Sequence, residues 1–155
     1  MTQLKEILKP GDLIAYKPKG FFGWIISVKT WHRVSHVEVY VGNDYSVASR
    51  DGIGVGYYRL RTNGVYGVYR PNIPFNLEAA MDWFWKEANG QKYDWKGILG
   101  FSTIVKQGDA RKQFCSEMAT RFYRRGGLEP FSKDEDADKI APFQMTITPV
   151  FDKVK

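Results

Sequence analysis

The chain has 155 residues, 43% of them hydrophobic and 15% aromatic, enough for one self-sufficient core and too apolar for a wholly disordered chain. Its formal charge of +6 favours encounter with an acidic surface or polymer. A single cysteine, Cys115, excludes an internal disulfide and any CxxC metal or redox pair.

The opening stretch MTQLKEILKP is polar. It predicts a short helix or arm around LKEIL and shows no cleavable signal, so a cytoplasmic location is expected. GDLIAYK, 11–17, reads as a turn followed by a strand. KPKGFFGWIISVKTWHR reads as a loop that holds a short helix. No apolar run approaches the roughly 20 residues of a bilayer span, and FFGWII reads as a buried segment before it reads as a lipid-facing patch.

SHVEVYVG, 35–42, alternates: Val37, Val39 and Val41 share one face, while His36, Glu38 and Tyr40 share the other. GND then predicts a turn and YSVAS a second strand, giving a hairpin. RDGIGVGYYRL continues as glycine-broken β structure. Its glycines precede no helix, so they are not a dinucleotide-binding fingerprint. YGVYRP, 66–71, is a further strand. Tyr57, Tyr58, Tyr66 and Tyr69 suit sheet packing and the lining of a groove equally.

The period then changes. NLEAAMDWFWKEANG, 76–90, predicts a helix with Asn76 as cap and Gly90 as terminator. QKYDWKGILGFSTIVKQGDARK fits helix or packed loop. QFCSEMATRFYRR predicts a second helix with Phe114, Met118, Ala119 and Phe122 near one face, ended by Gly126 and Gly127. SKDEDADK is a charged loop, and APFQMTITPVF, 141–151, offers one more strand. The expected fold is α+β, a single domain over 1–155 with an antiparallel sheet packed against helices.

Cys115 starts the last helix, where unpaired N–H groups and the helix dipole favour a thiolate. His36, on the strand face opposite the valines, can supply an imidazole base to it. Glu38 shares that face and is the candidate to orient or charge-stabilise the ring; Ser46, Ser49 and Asp51 are its rivals. The plainer reading of a lone cysteine beside a phenylalanine is a small core residue. His32 and His36 lack the HExxH order and have no third ligand, so no metal site is expected. Basic stretches such as RFYRR come without a helix-turn-helix, zinc finger or RNP-like strand pair, which argues against nucleic acid.

Three segments, in order, resemble the circularly permuted branch of the NlpC-type papain-like superfamily, relatives of lecithin retinol acyltransferase. GDLIAY resembles its first-strand signature, SHVEVYVGN its histidine strand and FCSEMATRFY its cysteine helix. KYDW resembles the segment that precedes that helix. The resemblance spans roughly residues 10 to 127, and histidine before cysteine reverses the unpermuted papain order.

It implies a cysteine peptidase or amidase with Cys115 as nucleophile and His36 as general base, an acyl-enzyme intermediate, and no cofactor. It also implies a third polar residue, for which Glu38 is the choice because the next strand offers only VAS, and a tyrosine near the nucleophile, Tyr93 or Tyr16. The implied substrates are peptides, peptidoglycan peptides or amide-linked lipids, in an intracellular or phage-derived setting. Two alternatives stand beside this: a thiol acyltransferase acting on lipid, and a non-catalytic binding or structural module on the same fold.

Overall fold

Alternation along 36–42 decides which residues enter the main core. The computed structural model describes residues 2–18, 33–92 and 114–155. His32, FFGWII, KYDW with Tyr93, and the ambiguous stretch through GDARK lie outside them.

Among the described residues six strands form one sheet: β1 Leu13–Tyr16, β2 His36–Gly42, β3 Tyr45–Arg50, β4 Gly54–Arg59, β5 Val65–Pro71 and β6 Phe151–Lys153. Their order is β4-β3-β2-β1-β5-β6, and every neighbouring pair is antiparallel. The β2–β3 hairpin turns on Asn43 and Asp44, at φ 52° and 65°. Those left-handed angles suit Asn and Asp, and their twist matches that of the flanking strands.

Both faces of the sheet are covered. Val37, Val39 and Val47 are buried with Trp83, Phe84, Met118, Ala119 and Phe122 of the helices. On the other face Ile14, Tyr16, Tyr40 and Val68 pack with Leu4 and Leu8, carried by or just after the N-terminal helix α1, Thr2–Ile7. This two-sided burial explains why β1 is buried at all four positions.

Helix α2, Leu77–Trp83, starts where expected: the Ala79 N–H donates to Asn76 Oδ1 at 3.0 Å. Its second half differs from the expected continuous α-helix. Phe84–Ala88 widens into a π turn, coincident with three consecutive aromatic residues. Trp83 and Phe84 go into the core, while Trp85 stays half exposed. The last helix, α3, runs Cys115–Arg125 and packs on β2 and β3. Arg124 and Arg125 lie in its final turn, favourable for the dipole.

The C-terminal segment corrects the expected strand over 141–151. Gln144–Thr146 is a 3-10 turn and the strand begins only at Phe151. Prolines at 142 and 149 remove ladder donors. Gln144 Oε1 accepts from the Ala141 N–H at 2.7 Å, closing the chain locally. Met145 is thereby buried against α3, its sulfur accepting from Thr120 Oγ1 at 3.3 Å.

Tyr123 ties these parts together. It is fully buried, its ring edge-on to Phe75 and Phe151, and its hydroxyl donates to the Gly11 carbonyl at 2.8 Å. Tyr123→Phe keeps the ring and leaves that carbonyl without its donor. The expected loss is about 1–2 kcal/mol in urea denaturation, and an unchanged midpoint would show that the bond contributes nothing.

Candidate active site

Glu38 lies inside β2 with no exposure at all. A carboxylate there must be fully bonded or give up its charge. It is bonded on both oxygens. Oε1 receives His36 Nε2 at 3.1 Å and Arg50 Nε at 3.0 Å, and forms an ion pair with Arg61 Nη2 at 3.1 Å. Oε2 receives Ser46 Oγ at 2.5 Å and Arg50 Nη2 at 3.0 Å. Arg50 is thus a bidentate, fork-on-fork partner. Burial opposes the charge, but His36 and Arg50 outweigh it and hold the carboxyl far below the usual carboxylate range.

His36 is the first residue of β2, at the sheet's end. Its side chain is 16% exposed and hydrogen-bonds Cys115. Since Nε2 faces Glu38, Nδ1 is the nitrogen left for the thiol. Burial disfavours the imidazolium; the charge and hydrogen bond of Cys115, then Glu38, reverse that and raise its pKa to about 9. The arrangement therefore favours a proton on the ring.

Cys115 is the first residue of α3, 1% exposed and within the core cluster under the helices. Its N-cap is Phe114, whose side chain makes no capping bond. Packing alone would explain a buried cysteine. It does not explain a half-buried imidazole hydrogen-bonded to it, which a merely structural thiol has no need of. The neighbouring polar residues have other partners: Ser116 Oγ donates to the Ile140 carbonyl at 2.5 Å, and Glu117 pairs with Arg121 at 2.6 Å.

All three residues singled out from sequence are therefore linked in one chain of contacts, Cys115 to His36 to Glu38. Of the rivals to Glu38, Ser46 bonds Glu38 itself, so it supports the carboxylate. Ser49 is buried. Partial burial raises the pKa of Asp51, which is exposed at the surface, and the His36 charge opposes that rise. Tyr16 lies beside the imidazole, ring centroids 5.9 Å apart. Its hydroxyl donates to the Arg61 carbonyl at 2.9 Å, and burial, then the Glu38 charge, push its pKa well up.

Sequence reasoning missed the two arginines. Arg50 continues the alternation of β3 four residues past Ser46, so extending YSVAS would have found it. Arg61 sits in an irregular loop and has no pattern to betray it. Among the described residues no group of three or more His, Cys, Asp or Glu side chains could hold a metal ion.

No protein-family model matches the chain. It is 27% identical over 140 residues, 84% of its length, to the "Probable lipoprotein peptidase YaeF" of Escherichia coli strain K12, and spans 45% of that protein. Its fold is similar to the crystal structure of the metalloprotein YiiX from Escherichia coli O157:H7, a DUF1105 protein. The TM-score is 0.66 with 17% identity, over 95% of this chain and 96% of that one. Among the described residues no helix is long and apolar enough to cross a membrane.

Glu38→Gln removes the charge that two guanidiniums share. The expected destabilisation is about 3 kcal/mol by urea denaturation, at the low end for breaking a buried pair because Arg61 is partly solvated. A change within experimental error would mean that solvent, not Glu38, balances the arginines.

Proposed function

We propose that this chain is a cysteine-dependent hydrolase that cleaves an amide or peptide bond through an acyl-enzyme, on a permuted papain-like fold. The observation that carries this is one imidazole shared between a helix-initial thiol and a buried, charge-holding carboxylate. The chain order of histidine strand before cysteine helix and the likeness to a probable peptidase support it.

In this reading the Cys115 thiolate attacks the scissile carbonyl, with the Cys115 backbone N–H as part of the oxyanion site. As the tetrahedral intermediate collapses, the His36 imidazolium gives its proton to the departing amine and becomes neutral. It then takes a proton from water, whose oxygen attacks the thioester. Collapse of that second intermediate releases the acid and restores thiolate and imidazolium. Glu38 positions the ring and holds its charge without touching substrate. Peptides, peptidoglycan peptides and amide-linked lipids all supply the required bond. The near-complete burial of Cys115 favours one other reading, a binding module of the same fold without turnover.

Labelling separates the two. Iodoacetamide at neutral pH is expected to modify Cys115 in the native protein, with the site read by mass spectrometry, and His36→Ala to slow the reaction roughly 100-fold. A native thiol inert to the reagent would sink the hydrolase reading. With an amide reporter substrate, kcat/KM is expected to fall as pH rises through about 9, where His36 loses its proton. A rate still climbing beyond that pH would remove His36 as proton donor.

A further inference from the structure

Among the described residues the charges around Glu38 do not balance. Among those residues two guanidiniums, Arg50 and Arg61, meet one carboxylate, so one positive charge is left over there. Proton transfer between Cys115 and His36 moves charge within that pair and leaves its sum unchanged, so the excess persists in either state. Asp51 is exposed and interacts with His36, but among the described residues no ion pair joins it to Arg61.

The two arginines are not equivalent. Arg50 places Nε and Nη2 on Glu38, gives Nη2 also to the Arg59 carbonyl at 3.2 Å, lies over the Tyr58 ring at 4.3 Å and is 17% exposed. Its bonding is complete enough to be structural. Arg61 gives Glu38 only Nη2 at 3.1 Å, and its side chain is 38% exposed. It is held over the Tyr16 ring at 4.4 Å, and its Nε is buried with no partner among the described residues. Tyr16 also hydrogen-bonds the Arg61 side chain, so the guanidinium is held in place while part of it still meets solvent, and a fixed, accessible guanidinium suits a carboxylate.

Its place sets the reach. Arg61 Nη2 and His36 Nε2 each lie 3.1 Å from Glu38 Oε1, so one ion pair and one hydrogen bond separate the cation from the imidazole, and the thiol is one ring and one contact further. That path corresponds to no more than roughly three extended residues. Resting on the hydrolase reading above, we propose that Arg61 is a specificity-determining residue that binds a free carboxylate of the acyl donor. The preferred substrate is then an amide or peptide with a carboxylate within about three residues of the scissile bond.

Chloroacetyl-glycine and chloroacetyl-glycylglycine, each paired with its carboxamide, test this without knowledge of the substrate. Each alkylates the thiol with loss of chloride and differs from its partner only in terminal charge. The measurement is the rate of Cys115 modification by intact-mass spectrometry. For at least one length the carboxylate is expected to react about tenfold faster than the carboxamide, as a charge-assisted bond would produce. Taking the ratio within each variant cancels any general change in thiol reactivity. Arg61→Met is expected to bring that ratio close to unity, and Arg61→Lys to restore part of it. Equal rates in the wild type, or a preference that survives Arg61→Met, overturn the carboxylate site and leave the nucleophile standing. No alkylation by any of the reagents overturns both.

Discussion

A carboxylate buried in a strand has to be answered by its surroundings, and around Glu38 nearly every polar feature of one sheet end provides that answer. Ser46 and Arg50 reach it from β3, Arg61 from the loop after β4, and His36 from two residues upstream. Without its charge, two cations would be left facing each other in a poorly solvated space. With it, Nε2 of His36 is fixed, which leaves Nδ1 for the thiol. The tyrosines complete the frame: Tyr16 and Tyr58 each lie under one guanidinium, and the Tyr16 hydroxyl ties the Arg61 backbone in place.

His36 also connects two layers that otherwise have little in common. Cys115 belongs to the core between sheet and helices, whereas Tyr16, which faces His36 across the β1–β2 ladder, belongs to the core under α1. His36, at the very start of its strand, reaches from one layer to the other. The helix that carries the thiol is fixed independently, by Tyr123 on the Gly11 carbonyl, by Ser116 on the Ile140 carbonyl and by Thr120 on Met145. Both ends of the thiol–imidazole contact thus rest on buried hydrogen bonds, so the pair is positioned by the fold rather than by its own weak attraction.

Much of this was legible in the residues alone. Period-two alternation separated the valines of β2 from His36, Glu38 and Tyr40, and the two cores follow that division, Val37 and Val39 in one and Tyr40 in the other. Asn76 as cap and the glycines after Arg125 marked helix limits correctly. The same logic failed over 141–151, where apolar residues between two prolines read as a strand. There Met145 is claimed by the underside of α3, and a tight turn delivers it. It failed again at Phe84–Ala88, because spacing cannot tell a π turn from an α turn when three aromatic side chains follow one another.

The sequence by itself determined the local grammar: which faces of the strands are apolar, where the helices begin, and that a cysteine stands at a helix start. These follow from the period of each backbone form and from capping chemistry, which are properties of neighbours along the chain. Only the tertiary structure decided that His36 lies between Cys115 and Glu38, and that Arg50 and Arg61 hold the carboxylate charged. Those contacts join residues 12 to 79 positions apart, apart from the adjacent His36–Glu38 pair. Their energies depend on burial and on the sum of nearby charges, which no stretch of sequence contains.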